Sequence, residues 1–271
     1  MKIKKIVAII LTLTFVFALA SCGTAKKDAV VIKVAASPTP HAQILEIAKE
    51  ILAEDGITLE IVEFTDYVQP NLATDSGDVD ANYFQHMPYL EQFNAENNTQ
   101  LSSVAAIHYE PYGIYPGRTA TIEELQNGAK ISVPNDATNE ARALLLLEAQ
   151  GLITLTPGIG LKATKLDIIE NPLNLDIIEM EAASLTLTLP DVDMAVINGN
   201  YAIDAGLSVA KDAVAIEDSS SETAQIFANI LVAKTGNENN ETIQALVKAL
   251  QSQKVKDYIN ATYDGAVLAM F

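Results

Sequence analysis

The two arginines are the first residues to weigh, because the chain is otherwise strongly acidic. It has 271 residues, a net charge of −18 and arginine only at positions 118 and 142. Such a surface repels nucleic acid, and any anionic group of a ligand must meet a local positive charge. Arg142 falls near the start of an apolar helical pattern, where a guanidinium can hold a carboxylate in a two-point fork. The alternative is a surface arginine paired with Glu140 or Glu148, while Arg118 is predicted to lie at the surface or a hinge.

Two asparagines have positions that suit polar recognition. Asn139 precedes Arg142 by three residues, so the two share a helical face, and Asn139 either contacts a ligand or caps the helix. Asn198 follows the apolar run Met194 to Ile197, at the C-terminal end of a predicted strand. Side chains there face the crevice of an open α/β sheet, so its amide oxygen can accept a hydrogen bond from an ammonium group. The alternative is a turn residue before Gly199.

Short apolar runs alternate with helical patterns and define the elements that must position these residues. The first helix is predicted to bury Ile44, Ile47, Ala48 and Ile51, and a later short helix has a capping-box spacing at Thr121 and Glu124. Strands are predicted at residues 30–36, 57–64, 79–84, 101–108, 129–133, 166–169, 176–180, 194–197 and 227–232. Helices are predicted at 41–53, from 88 onward, and at 121–125, 135–147 and 241–260.

The alternation of strands and helices predicts an α/β fold with largely parallel sheets. The tyrosine- and proline-rich passage from Tyr109 to Pro116 suits a crossing between two units, and a return before Asn229 would complete two lobes around a cleft. The predicted boundaries are 30–110 for the first lobe, 111–218 for the second, and 219–271 for the return to the first.

The N-terminus indicates the compartment. Residues 1–5 carry three lysines, and an apolar stretch follows that is too short for a membrane span of about 20 residues. It ends in Leu-Ala-Ser-Cys-Gly, which is typical of a lipoprotein signal. We therefore expect a signal peptide at 1–21, a diacylglycerol on Cys22 and a polar tether at 22–29; the alternative is an uncleaved anchor with an incidental cysteine. Cys22 is the only cysteine, which excludes an internal disulfide.

Signals for catalysis or for a metal site are weak. The sequence contains no G-x-S-x-G elbow and no H-E-x-x-H helix, and its 35 acidic residues show no evident pair. The histidines at 41, 86 and 108 could converge on a metal ion, although His41 follows Pro40 at a helix start, where it can face solvent. The sequence therefore predicts no catalytic residues, no metal and no cofactor, with a secreted hydrolase or a metal-binding lipoprotein as remote alternatives.

Four stretches are familiar in combination: FTDYVQPN at 64–71, DANYFQHMPYL at 80–90, VPNDATNEARALLLL at 133–147 and AVINGNYA at 195–202. Their order and spacing behind the lipoprotein signal resemble the NlpA lipoprotein family, which includes methionine-binding lipoproteins. The resemblance extends from the signal to the C-terminus. It implies a two-lobed type II periplasmic-binding-protein fold with a ligand cleft between the lobes.

The resemblance also implies a function in import. It implies a lipid-anchored, extracytoplasmic protein that delivers a ligand to an ABC permease with a separate ATPase subunit, and this chain has no G-x-x-x-x-G-K-[ST] loop of its own. We expect the protein to be a monomer. The implied ligand is L-methionine. D-methionine, a methionine-containing dipeptide and another apolar amino acid stay open, because one methylene changes binding by only about 1–3 kcal/mol.

A buried free amino acid needs partners for its carboxylate and its ammonium, since leaving them unpaired costs several kcal/mol. The resemblance assigns the carboxylate to Arg142 and a ligand contact to Asn229, which interrupts an apolar run. Tyr67, Phe84 and His86 would line the slot for the ligand side chain; Phe84 and His86 share one face of an extended segment. The alternatives are a surface tyrosine, a core phenylalanine and a structural histidine. The predicted site comprises these five residues with Asn139 and Asn198.

Overall fold

The computed structural model describes residues 30–219 and 225–271. The predicted signal peptide, Cys22 and tether lie outside the described residues. The strands are β1 (Val30–Ala36), β2 (Ile57–Glu63), β3 (Ala81–His86), β4 (Leu101–Tyr109), β5 (Gly113–Pro116), β6 (Lys130–Pro134), β7 (Thr154–Leu155), β8 (Ile168–Glu170), β9 (Asp176–Met180), β10 (Met194–Ile197), β11 (Ala215–Ile216), β12 (Asn229–Lys234) and β13 (Leu268–Ala269).

The α-helices cover the connections between these strands. They are α1 (Gln43–Glu54), α2 (Gln69–Ser76), α3 (Met87–Asn97), α4 (Ala137–Ala149), α5 (Leu185–Thr188), α6 (Gly199–Asp204), α7 (Val209–Asp212), α8 (Glu241–Leu250) and α9 (Gln253–Thr262). Within the described ranges, none of the helices is both long and apolar enough to cross a membrane.

The strands form two main sheets, so the predicted α/β fold with two lobes is confirmed. The first sheet has the order β13-β4-β12-β3-β1-β2, and the second has the order β11-β5-β10-β6-β9. Strands of the first sheet come from residues 30–109 and 229–269, and strands of the second from residues 113–216. The lobe boundaries themselves stay a prediction.

Both sheets are mixed, so the prediction of largely parallel sheets was wrong. In the first sheet β1 and β3 are parallel, whereas β12 runs antiparallel to both β3 and β4. In the second sheet β6 is parallel to β9 and β10, whereas β5 runs antiparallel to β10. Two of the antiparallel strands are β5, through which the chain enters the second sheet, and β12, through which it returns to the first; each runs opposite to both of its neighbours. The third is the edge strand β13, which runs antiparallel to β4.

Helix α4 begins where the sequence provides a cap. The side chain of Asp136 accepts a hydrogen bond from the backbone N–H of Asn139 at 3.0 Å, which satisfies one of the free amides at the helix start. Alanine and leucine favour the helix that follows, and Leu144 and Leu147 are fully buried in the core of the second lobe. This packing fixes the helix that carries Asn139 and Arg142.

Two predicted local features were wrong. The segment after Thr121 is a single 3₁₀ turn, and Thr121 makes no side-chain cap bond, because the N–H of Glu124 already bonds to the Thr121 carbonyl at 3.2 Å. Helix α1 buries a face rotated from the predicted one, because strand β2 and helices α8 and α9 all contact it. Its buried apolar residues are Ile44, Leu45, Ala48 and Leu52, with Ile47 and Ile51 only partly buried.

Candidate ligand-binding cleft

The seven predicted site residues line one cavity, which has about 340 Å³ of space when its open mouth is included. They reach it from both lobes: from the loop after β2, the end of β3 and the start of β12 on one side, and from α4 and the end of β10 on the other. The other lining residues are Gln85, Tyr89, Glu110, Tyr112, Gly199 and Asn200.

Aromatic rings form one wall of the cavity. The ring centroids of Tyr67 and Phe84 are 5.8 Å apart, and Tyr89 lies 5.8 Å from Tyr67 and 6.0 Å from Phe84. The Tyr67 hydroxyl donates to Oδ1 of Asn200, which belongs to the other lobe. Phe84 is therefore both a core residue and part of the wall, and Tyr67 is not the free surface tyrosine of the alternative interpretation.

Arg142 is buried, with 4% of its surface exposed. Its predicted local partners, Glu140 and Glu148, are not its partners here. Instead the guanidinium makes a fork with Glu217, in which Nε lies 3.1 Å from Oε1 and Nη2 bonds to Oε2. Nη2 also donates to the carbonyl of Glu110 at 2.9 Å. The two-point fork that the sequence suggested for a ligand is thus made with the protein's own carboxylate.

Aromatic rings enclose the same guanidinium. Its central carbon lies 4.1 Å from the ring centroid of Tyr112 and 4.2 Å from that of Phe227. Burial raises the pKa of Glu217, but Arg142 and the hydrogen bonds outweigh burial and leave this pKa below its usual value. The pair is therefore ionised near neutral pH. Among the described residues, the structure shows no hydrogen bond for Arg142 Nη1.

Asn139 joins several side chains of the cavity. Its Oδ1 lies 3.1 Å from His86 Nε2, 2.7 Å from the Tyr112 hydroxyl and 3.1 Å from Asn198 Nδ2. Its Nδ2 donates to both oxygens of Asp136. The Oδ1 of this amide thus receives three neighbours within the protein, and the Asp136 carboxylate fixes the position of its NH₂ group.

Asn198 directly follows β10 and is 6% exposed. It stands at the N-cap position of α6 but makes no side-chain cap bond, so the alternative of a simple turn residue does not describe it. Its Oδ1 is buried and has no hydrogen-bond partner among the described residues. A buried acceptor of this kind is costly unless something in the cavity donates to it.

Asn229 rests on a buried network of polar side chains. Its Oδ1 lies 3.0 Å from His41 Nε2, and Glu110 Oε1 lies 2.6 Å from His108 Nε2. His41 is 1% exposed, so the expectation that it faces solvent was wrong; β12 and the neighbouring strands cover it. The ligand atoms of His41, His108 and Glu110 lie within 4.8 Å of one another, whereas His86 bonds to Asn139. A metal site here would therefore use two histidines and a carboxylate, not the three histidines considered from sequence.

Glu110, Tyr112 and Glu217 are among the residues that sequence reasoning missed. Glu110 lines the cavity at 5% exposure, and burial raises its pKa. A Cβ atom on Gly199 would lie 2.6 Å from the Glu110 Cβ, so only glycine permits this close approach. A signal for Glu110 was present, because it is an acid that directly follows a buried strand within the crossing passage.

All three histidines are expected to stay neutral at physiological pH. Burial lowers the pKa of His41 to about 4, burial and the positive Arg142 lower that of His86 to about 3, and burial lowers that of His108 to about 3. An unperturbed histidine would protonate around pH 6.5. The ring nitrogen shifts in ¹⁵N–¹H correlation spectra should therefore stay constant from pH 8 to pH 5.5. A midpoint near 6.5 for any of the three would contradict this burial.

Comparisons with known proteins agree with the family resemblance that the four sequence motifs indicated. A crystal structure of a protein from Ruminococcus gnavus ATCC 29149 is similar, with 57% identity and a TM-score of 0.89 over 90% of this chain and 100% of that one. The D-methionine-binding lipoprotein MetQ of Salmonella typhimurium is 41% identical over 254 residues, 93% of this chain and 92% of the relative. A nutrient-binding protein from Burkholderia cenocepacia, solved bound to methionine, has 41% identity and a TM-score of 0.85 over 89% and 100% of the two chains.

The profile of the NlpA lipoprotein family matches residues 32–271, nearly all of the described structure. Together with these relatives, this match confirms the resemblance found in the sequence. The chain belongs to the NlpA lipoprotein family.

Proposed function

We propose that this protein captures methionine in the cleft between its lobes and delivers it to an ABC importer, acting by binding and not by turnover. The observation that carries the proposal is one cavity lined by a buried cation and a buried acceptor: Arg142, whose Nη1 makes no hydrogen bond with the residues that the structure describes, and Asn198, whose Oδ1 has no partner among them. A zwitterionic amino acid supplies the complement of both. Relatives whose names include methionine, and one solved with methionine bound, support the choice of ligand.

The ligand carboxylate would lie against Arg142 Nη1, because Glu217 already holds the Nε and Nη2 edge. The ammonium would lie against Asn198 Oδ1, and the side chain of Glu110 lies close to the adjoining Gly199. Asn229, held by His41, completes the polar lining. Each charged end of a buried zwitterion then has a partner, which offsets its desolvation.

The ligand side chain would pack against the rings of Tyr67 and Phe84, with His86 beside them. His86 is neutral above its lowered pKa of about 3, so it adds no charge to this part of the cavity. A thioether packs favourably against aromatic edges. This wall belongs to the first lobe, whereas Arg142 and Asn198 belong to the second. Closure of the lobes would therefore bring the aromatic wall against the ligand side chain and the polar groups against its charged end.

L-methionine is the ligand we propose first. D-methionine, a methionine-containing dipeptide and another apolar amino acid are the alternatives, since they share a charged end and an apolar tail. Mass spectrometry of the small molecule that leaves the natively purified protein on denaturation, followed by chiral chromatography, distinguishes them. Release of a sugar, a nucleotide or a metal ion would contradict the proposal.

The protein would work as a lipid-anchored monomer outside the cytoplasm, beside a permease and its ATPase. Cys22 would carry the lipid, and two or more acyl chains would hold the protein at the membrane, since each buried methylene contributes about 0.8 kcal/mol. Metabolic labelling with a radioactive fatty acid should mark the wild-type protein and not Cys22→Ser. Equal labelling of the two proteins would place the lipid elsewhere.

Replacing Arg142 with alanine should weaken methionine binding by roughly 2–5 kcal/mol, because the ligand carboxylate would be buried without its cation. Isothermal titration calorimetry measures the change, with thermal unfolding to show that the variant is folded. Arg118→Ala is the matched control, since Arg118 is half exposed and pairs with Asp193 away from the cavity. Unchanged affinity in Arg142→Ala would refute the assigned role.

A further inference from the structure

Asn139 lies at the centre of a chain of hydrogen bonds in which the neighbouring groups determine which atoms donate and which accept. The chain begins at Asp136, whose Oδ1 and Oδ2 lie 2.8 and 3.0 Å from Asn139 Nδ2. A carboxylate only accepts hydrogen bonds, so the NH₂ group of Asn139 must face Asp136. The backbone N–H of Asn139 donates to the same carboxylate at 3.0 Å, which holds the two residues in place.

With its NH₂ group fixed, Asn139 presents Oδ1 to three neighbours, each of which must donate. The Tyr112 hydroxyl lies at 2.7 Å, His86 Nε2 at 3.1 Å and Asn198 Nδ2 at 3.1 Å. A second contact also indicates that His86 donates from Nε2, because its Nδ1 accepts a hydrogen bond from the backbone N–H of Tyr89 at 3.3 Å. A neutral imidazole that accepts at Nδ1 carries its proton on Nε2.

The last member of the chain is Asn198. Because its NH₂ group donates to Asn139, its Oδ1 lies at the other end of the amide, buried and without a partner among the described residues. If the Asn139 amide were free to turn, the amide of Asn198 could turn as well and present a donor to the cavity. Whether Asn198 presents an oxygen or an NH₂ group to the cavity thus depends on Asn139.

We infer that Asn139 is a positioning residue: pinned by Asp136, it orients the Asn198 amide so that its oxygen, and not its nitrogen, faces the ligand ammonium. This role differs from the direct ligand contact suggested by the sequence, because Asn139 acts on the ligand through the amide of Asn198. The inference rests on the proposed function, since it assumes a ligand with a protonated amine. It makes Asn139 a determinant of selectivity for that amine.

The test compares two ligands in calorimetry: L-methionine, and 4-(methylsulfanyl)butanoate, which lacks the ammonium group. Asn139→Ala should weaken methionine binding by about 10-fold or more, as expected for loss of a hydrogen bond to a charged group, and should weaken binding of the amine-free ligand by less than about threefold. Asn139→Ala combined with Asn198→Ala should bind methionine no more weakly than Asn198→Ala alone, within about threefold.

Asn171→Ala is the matched control. Asn171 makes two hydrogen bonds with Leu175 in a loop of the second lobe and does not line the cavity, so both ligands should bind this variant as they bind the wild type. Equal losses for the two ligands in Asn139→Ala, or additive losses in the double variant, would overturn the inference. Failure of the wild type to bind methionine would instead count against the proposed function.

A measurement on the wild type keeps the inference testable even if Asn139→Ala does not fold. The ¹⁵N shifts of His86 should show a protonated Nε2 and an unprotonated Nδ1 at pH 7. The opposite tautomer would mean that Asn139 Oδ1 does not face His86, and the direction assigned to the whole chain would be wrong.

Discussion

A positive charge buried between aromatic rings is the constraint on which the cleft depends. An unpaired guanidinium in this position would cost several kcal/mol, and the chain supplies Glu217 as its counter-charge. The same carboxylate accepts from the Tyr109 hydroxyl and from the backbone N–H of Tyr112 at 3.3 Å. The protein therefore holds the cation in one orientation, and Nη1 makes no hydrogen bond with the residues that the structure describes. A site prepared in this way loses little freedom on binding, which favours affinity.

The topology explains how these groups meet. Tyr109 and Tyr112 flank the passage from the first sheet to the second, and Glu217 directly follows β11, at the end of the second sheet. The Arg142–Glu217 pair therefore joins α4 to both segments of the chain that connect the two sheets. The returning strand β12 enters the first sheet between β3 and β4, which places Asn229 opposite both His86 and His108. Strand β12 thus brings Asn229 to the polar lining. Hydrophobic periodicity did not reveal that this strand runs antiparallel between β3 and β4.

Features that depend on the local sequence pattern, such as strand bounds and helix caps, could be predicted from the sequence. The strands at 176–180 and 194–197 have the predicted bounds, since Met194 to Ile197 is a short apolar run and the strand at 176–180 has two isoleucines between acidic residues. Asp136 caps α4 as its residue type suggests. The residues around one cavity were foreseen through family motifs, not through physics alone. Long-range partners were not foreseen: Glu217 lies 75 residues from Arg142, and nothing in the spacing favours it over Glu140. The three donors to Asn139 Oδ1 were equally hidden, since they come from three distant parts of the chain.

The most direct test of this account is a crystal structure of the protein with methionine bound, at a resolution that defines hydrogen bonds. We expect a ligand carboxylate oxygen about 2.7–3.2 Å from Arg142 Nη1, with Glu217 still bonded to Nε. A carboxylate seated on the Nε and Nη2 edge with Glu217 displaced, or a ligand that does not contact Arg142, would contradict it.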